Sequence, residues 1–281
     1  MAIATKLNFS LFKKLDGRWF LGGSHVTLLL ISYFFFSLQR SIFQIFSAYV
    51  AALACEYLFF KLSQKNKHRK LIDSLFSAAT EAAGLLILVR SSFQWTYVVF
   101  SLLAVSSKYL LLLDKKRHLF NPTNFAIVAG LTFMPREYFE VRGDDFNISF
   151  YPMMHVLLFG LAAVYLGKTW RVTLAYFISI VLISFLLSLQ SGDSIIYYLG
   201  PEVGAIGLIF MFLMITDPRT TPASAHGQLF FGFLVAATLY IFRSFEMFYS
   251  HFFSLFIVTL FRGLYELKIK NARVSTGVLQ H

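Results

Sequence analysis

The sequence predicts an all-α, polytopic membrane protein with about ten transmembrane segments. Of its 281 residues, 57% are hydrophobic and only 14% are charged, whereas about a quarter of the residues in a soluble domain are charged. The chain contains 34 phenylalanines, and its mean hydropathy is +0.66. A net charge of +11 would indicate nucleic acid in a soluble protein, but here the basic residues lie between apolar runs. The expected partner is membrane lipid, and no nucleic acid is expected.

Ten apolar runs define the predicted segments. They lie at about residues 21–39, 42–62, 74–90, 93–113, 122–135, 147–166, 173–190, 195–216, 228–245 and 249–265. If the chain starts in the cytoplasm and every run crosses, nineteen Lys and Arg residues fall inside and five fall outside. This positive-inside bias predicts a multi-pass protein of the bacterial inner membrane with both termini in the cytoplasm.

Ten segments divide into five and five, and an odd number per half makes the second half an inverted copy of the first. Segments three and eight each carry a glutamate followed by small and aliphatic residues, Glu81 and Glu202 respectively. Segments five and ten are both short and follow aromatic-rich turns. The predicted division is a cytoplasmic lead-in at 1–20, a first repeat at 21–135, an outer loop at 136–146, a second repeat at 147–265 and a cytoplasmic tail at 266–281.

The stretch from Lys108 to Phe133 predicts a short helix that acts as half a span. Pro122 suits the first helical position and Asn121 is a good N-cap. From Pro122 to Pro135 a helix is roughly 21 Å long, less than the roughly 30 Å hydrocarbon core. Short or broken helices are tolerated where they face protein or a cavity, so this helix is expected beside a binding site. A slightly short ordinary helix is the alternative.

Four charged residues lie inside apolar segments, where an ionised side chain is costly and usually functional. They are Glu56, Glu81, Lys108 and Glu202. Gly200-Pro201 is expected to break segment eight and to place Glu202 in the first turn of the following half-helix, where the helix dipole favours a carboxylate. Lys108 is expected to snorkel to the inner interface, and Glu56 to pair structurally or to lie near that interface.

The run Thr216-Asp-Pro-Arg-Thr-Thr-Pro222 closes segment eight at its inner end. Its two prolines stop the helix, and its hydroxyl and carboxyl oxygens favour an ordered turn. A rigid turn without a binding role is the alternative. The chain contains no nucleotide-binding loop or Ser/His/Asp set, its histidines are scattered, and Cys55 is its single cysteine. No metal site is therefore expected.

Two motifs resemble those of the RnfD/NqrB membrane proteins. The run from Ser107 to Phe125, with Lys108 and His118-Leu-Phe-Asn-Pro, resembles one family signature, and the turn at 216–222 resembles their TDP-x-T-x-P motif. The resemblance implies an inverted-repeat fold similar to urea and ammonium channels. It also implies a flavin between the repeats and electron transport coupled to ion transport, alongside other membrane or redox subunits.

One feature departs from that family. Its members attach FMN to the last threonine of a Ser/Thr-Gly-Ala-Thr motif in the outer loop before segment six. Here that loop reads PREYFEVRGDDFNISFYP and contains no threonine. The chain therefore looks more like the divergent members encoded beside enediyne-type biosynthesis genes, and covalent FMN is not expected.

Three functions remain open from the sequence. The first is a membrane electron-transfer subunit, as in an oxidoreductase complex, with non-covalent flavin (riboflavin or FMN) or quinone between the repeats. The second is a channel or transporter for a small polar solute or cofactor, and the third is a membrane scaffold without catalysis. The predicted cofactor-binding residues are Glu81, Lys108, His118, Asn121, Asn124, Glu202, Asp217 and Thr220.

The missing threonine predicts that no flavin stays attached after denaturation. The purified protein should give no fluorescent band on a denaturing gel, next to a covalent flavoprotein as positive control. A fluorescent band at 32.1 kDa would mean that another residue carries the flavin.

Overall fold

The computed structural model describes residues 17–36, 38–63, 70–114, 117–142 and 150–275, and most of them are helical. The helices are α1 (Gly17–Phe35), α2 (Ile42–Leu62), α3 (Leu71–Leu88), α4 (Gln94–Leu110), α5 (Pro122–Phe133), α6 (Phe150–Leu166), α7 (Trp170–Ser191), α8 (Ile195–Val203), α9 (Ala205–Ile209), α10 (Ala225–Ser244) and α11 (Ser250–Ser275). A π-helical turn, Phe210–Met214, continues α9, and Arg136–Tyr138 form a 3-10 turn. Two short strands, β1 (Val89–Arg90) and β2 (Glu140–Val141), are also present. The predicted all-α class is confirmed.

The apolar character of these helices confirms a multi-pass membrane protein. Within the described residues, α2, α3, α7 and α10 are each long and apolar enough to cross a bilayer. Helix α8 and the helical stretch Ala205–Met214 meet at an angle of 56° and would together form a fifth span. Three apolar helices are shorter: α5, α6 and the part of α1 from Trp19 to Phe35. Each of the ten predicted segments contains at least one helix.

The predicted domain boundaries stay a prediction. Residues 1–16 of the lead-in, 143–149 around the end of the outer loop and 276–281 of the tail lie outside the described residues. Helix α1 already begins at Gly17, inside the predicted lead-in, and α11 continues to Ser275, beyond the predicted segment end at 265.

The two halves of the chain pack with the same pattern. Segments two and four, α2 and α4, lie against each other, and so do segments seven and nine, α7 and α10. Helix α4 also contacts α5, just as α10 contacts α11. The corresponding first and sixth segments, α1 and α6, contact each other across the two halves, as do the fifth and tenth, α5 and α11. Equivalent pairs in both halves are what an inverted repeat predicts.

The third segment of each half forms the protein interior. Every residue from Glu81 to Val89 is buried, and so is every residue from Ile209 to Thr216. The other helices carry large exposed apolar side chains, for example Phe46 on α2 and Leu189 on α7, each 67% exposed. Such side chains suit a lipid-facing surface, since water would leave them unfavourably exposed.

Contacts between loops define two faces of the helix bundle. On one face, Arg117 of the loop after α4 contacts Glu266 near the end of α11, with Nη2 and Oε2 2.8 Å apart. We call this the basic face. On the opposite face, β1 pairs antiparallel with β2, with Val89 opposite Val141. The strands follow segments three and five, which end on the same side when segments four and five both cross.

The ten-segment order predicts that Ala223 and Asp193, at the two ends of segment eight, lie on opposite sides of the membrane. Both residues are exposed, and Cys55→Ser gives a background without cysteine. In intact cells, a membrane-impermeant maleimide should label Asp193→Cys and should label Ala223→Cys only after permeabilisation. Labelling of both positions from one side would end the ten-segment topology.

Candidate functional site

The two sequence motifs contact each other through Asn121. Its Oδ1 accepts a hydrogen bond of 3.0 Å from the Asn124 amide and caps α5, which begins with Pro122 as predicted. Its Nδ2 donates to the Met214 carbonyl at 3.3 Å. In a continuing α-helix that carbonyl would accept from residue 218, which is a proline and has no N–H. The Asn121 amide therefore satisfies a carbonyl that Pro218 leaves without its helical donor.

The turn that follows is rigid, as one alternative for the 216–222 motif predicted. The Asp217 carboxylate accepts from the Arg219 amide at 3.0 Å, and the Asp217 carbonyl accepts from the amides of Thr220 and Thr221, also at 3.0 Å. Desolvation by the surrounding protein raises the pKa of the Asp217 carboxyl, against the opposing effect of the Arg219 amide. Arg262 of α11 donates to the Thr220 carbonyl. These bonds fix the turn against the basic face.

A second contact between the motifs joins two side chains. The Arg219 guanidinium lies with Nη1 3.2 Å from Nε2 of His118, and His118 is buried. Since a guanidinium only donates, Nε2 accepts, and we infer that a neutral His118 carries its proton on Nδ1. The loop before α5 and the turn after segment eight therefore form one unit.

This unit forms one wall of a partly open cavity of about 130 Å³. The opposite wall is one side of α3, from Asp73 in its first turn through Ser77, Thr80 and Glu81 to Leu88. Further lining residues are Trp19, Leu21, His25, Phe76, His118, Asn121, Pro122, Thr123, Leu213, Met214, Asp217 and Arg219. The cavity thus combines polar groups from segments one, three, five and eight.

Four of the eight predicted site residues line this cavity: Glu81, His118, Asn121 and Asp217. The other four do not. Asn124 is fully buried and donates to the Phe252 carbonyl at 3.1 Å, which joins α5 to α11. Thr220 is buried in the turn. Lys108 lies behind Glu81, and Glu202 belongs to a separate cluster.

Lys108 bridges two buried glutamates. Its Nζ lies 2.7 Å from Glu56 Oε2 and 2.8 Å from Glu81 Oε2. Tyr109 donates to Glu56 Oε1 at 2.5 Å, and Ser77 donates to Glu81 Oε1 at 3.1 Å. The predicted snorkelling of Lys108 is therefore wrong, because two carboxylates hold the ammonium in a site where it is only 5% exposed. The predicted structural pairing of Glu56 is confirmed.

Glu202 is fully buried among side chains of α7, α10 and α11. Its Oε2 accepts from the Tyr176 hydroxyl at 2.8 Å and lies 3.0 Å from His251 Nε2, and its Oε1 lies 2.5 Å from Arg243 Nη2. The chain gives no local signal for this cluster, because its members are far apart in sequence and Arg243 ends an apolar run. We therefore missed Tyr176, Arg243 and His251.

The predicted helix break at Gly200-Pro201 is wrong. Pro201 lies inside α8, and the helix ends at Gly204, whose backbone is extended with φ −73° and ψ 179°. Glu202 consequently lies in the last turn of α8 and not in the first turn of the next helix. There the helix dipole disfavours a carboxylate, and Arg243 supplies the compensating charge.

The cavity size bears on which ring system fits. A closed cavity of about 150 Å³ holds a single benzene ring, so the about 130 Å³ of this partly open cavity is enough for one six-membered ring. A quinone head is a single ring with two carbonyl acceptors, and the lining residues Asn121 and Thr123 carry hydrogen-bond donors. Within the described residues, no group of three or more His, Cys, Asp or Glu side chains could hold a metal ion.

Fold and site together define a multi-pass, all-α membrane protein with a polar cavity beside its buried third segment. Comparison with known families gives a more specific class. Residues 151–273 match the NQR2, RnfD, RnfE family, and this range includes the 216–222 motif. Over this range the chain is similar to the RnfD/NqrB membrane proteins, and the resemblance is confirmed. A search of curated proteins finds no match.

Loss of the Asn121 contacts should lower stability in two steps. Asn121→Ser keeps a capping oxygen but removes the shorter of two hydrogen bonds to the Met214 carbonyl, whose other donor is the Asp217 amide at 3.5 Å. This should lower the free energy of unfolding by about 0.5–1.5 kcal/mol. Asn121→Ala should lower it by about 1 kcal/mol more, because the cap is also lost. Thermal unfolding in detergent would rank the variants.

Ser224→Ala is the matched control, because it removes only the side-chain cap of α10 at an exposed position. A Ser variant of Asn121 as stable as wild type would mean that the Asp217 amide, 3.5 Å from the Met214 carbonyl, satisfies it alone.

Proposed function

We propose that this chain is the membrane subunit of an electron-transport complex and holds a quinone head, non-covalently, in the cavity beside α3. The family match supports a role in such a complex. The observation that carries the ligand is the cavity, which has single-ring volume and combines apolar walls with Asn121, His25 and Glu81. Other membrane or redox subunits would supply the electrons.

When bound, a quinone takes up two electrons and two protons and becomes a quinol, with the electrons supplied by a redox partner subunit. The residues of this chain would bind the ring and handle protons. His25 Nδ1 lies 2.8 Å from the Leu21 carbonyl, so Nδ1 carries the proton and Nε2 is an acceptor. Asn121 and the α5 N-terminus favour a carbonyl oxygen. Trp19 stacks on Phe76 at the entrance, with centroids 4.2 Å apart, and offers an apolar contact for a quinone tail.

The unequal distribution of Lys and Arg residues between the two sides supports an orientation of the protein in the membrane. We place the basic face in the cytoplasm of a bacterial inner membrane, with both termini on that side. The cavity then opens toward the cytoplasmic side of the bilayer, since Trp19 is 46% exposed at its mouth. A lipid-soluble quinone can reach this position from the membrane, and protons can reach it from the cytoplasm.

Filling the cavity should abolish quinone binding. Trp19 is close enough to report on binding, so a short-chain quinone should quench tryptophan fluorescence of the purified protein saturably. Thr80→Phe adds a ring at the cavity lining and should weaken binding by about tenfold or more, which corresponds to about 1.4 kcal/mol. Size-exclusion chromatography would verify that this variant is folded, because Thr80 also packs against Gly22 of α1. Leu189→Phe is the matched control, because it adds a ring on the exposed side of α7.

Other outcomes of the same experiment separate the alternatives. Equal quenching of wild type and Thr80→Phe would place the quinone elsewhere. Release of yellow flavin on denaturation would show that the cavity widens to hold riboflavin or FMN. Uptake of a small polar solute by proteoliposomes, without quinone affinity, would establish a channel or transporter instead.

A further inference from the structure

The triad of Glu56, Lys108 and Glu81 contains more negative than positive charge. One ammonium faces two carboxylates, and all three side chains are less than a tenth exposed. With both carboxylates ionised, the triad carries a net charge of −1 inside the membrane. Burial of an uncompensated charge is strongly unfavourable. Addition of one proton makes the triad neutral.

The hydrogen bonds indicate which carboxyl takes this proton. Tyr109 donates to Glu56 at 2.5 Å, and so short an O–H···O bond is typical of a phenol that donates to an ionised carboxylate. Ser77 donates to Glu81 at 3.1 Å, an ordinary length. Glu56 is 1% exposed and does not line the cavity, whereas Glu81 does. Glu56 and Lys108 therefore form the fixed ion pair, and Glu81 is the carboxyl in contact with the cavity.

We propose that Glu81 is a proton-exchange site that takes up one proton from the cavity and releases it there, while Glu56 stays paired with Lys108 away from the cavity. The step is a simple acid dissociation, in which the carboxyl O–H bond breaks and the proton passes to cavity water. It requires neither a bound quinone nor electron transfer. The proposal therefore stands or falls separately from the proposed ligand.

Other charged and titratable groups bias this exchange. Asp73 and Asp217 share the cavity with Glu81 and favour its protonated form, whereas Lys108 and Arg219 favour the carboxylate. The remaining titratable neighbours are Cys55 and Glu56 on α2, Tyr109 on α4, His25 on α1 and His118 before α5. Since these groups come from several helices, Glu81 is expected to respond to pH as one member of a coupled set.

Glu202 provides a matched internal control. It is also a buried glutamate of a third segment, but it contacts Arg243 in place of a shared lysine and does not line the cavity. Its neighbour from segment seven is the neutral Tyr176, whereas Glu81 has the acidic Glu56 from segment two in the same triad. The Arg243 guanidinium already balances the charge of the Glu202 carboxylate, so this cluster needs no further proton.

Infrared difference spectroscopy between alkaline and acidic pH tests the proposal on the full-length protein in sodium-free buffer. Wild type should show a protonated-carboxyl C=O band that grows as the pH falls and shifts rapidly in D2O, because the cavity admits water. Glu81→Gln should lose this band, and Glu202→Gln should keep it. Glutamine preserves the shape, and size-exclusion chromatography would verify that each variant is folded.

Three results would overturn the proposal. The first is a band that persists in Glu81→Gln but disappears in Glu56→Gln, which would put the proton on Glu56. The second is no pH-dependent band in wild type, which would mean that the triad stays ionised. The third is a wild-type band that does not shift in D2O, which would mean that Glu81 is closed off from the cavity. The last two require no variant.

Discussion

A charge inside a bilayer must be compensated by a neighbouring group, and this requirement explains how the helices of each half are held together. In the first half, Lys108 of segment four contacts Glu81 of segment three. In the second half, Arg243 of segment nine contacts Glu202 of segment eight. Removing one partner of a buried pair costs about 3–5 kcal/mol, because the other charge is left uncompensated. In each half, an ion pair therefore joins the central third segment to the fourth segment, which is the next segment along the chain.

The two halves differ in the group that segment two or segment seven contributes. Segment two supplies Glu56, an acid, and segment seven supplies Tyr176, a neutral donor. The first cluster therefore has an excess negative charge, and the second is balanced. The difference agrees with the cavity, which lies beside Glu81 but not beside Glu202. The two halves thus pack similarly but differ in their polar clusters: the Glu81 cluster faces the cavity, and the Glu202 cluster does not.

Local signals in the sequence predicted local features correctly. The N-cap at Asn121, the first-turn Pro122 and the ordered turn after Asp217 each depend on residues within a few positions of one another. Long-range features were not predictable in this way, since the Arg243 partner of Glu202 is distant in sequence. Pro201 also misled the prediction, because proline is a strong breaker in isolation. Helix α8 accommodates it only one turn before its end at Val203, so few helical hydrogen bonds follow the proline.

The two sequence motifs are best understood as parts of one structural element. Pro218 ends the π-helical turn and removes the donor that the Met214 carbonyl would use, and an unsatisfied carbonyl in a membrane protein interior is costly. Asn121, 93 positions earlier, supplies that donor and at the same time caps α5. A change in either motif therefore weakens the pairing of this buried carbonyl, whose other donor is the Asp217 amide at 3.5 Å. Because both motifs line the cavity, the same hydrogen bond that satisfies Met214 also fixes the distance between the α5 N-terminus and the Asp217 turn, and with it the shape of the site.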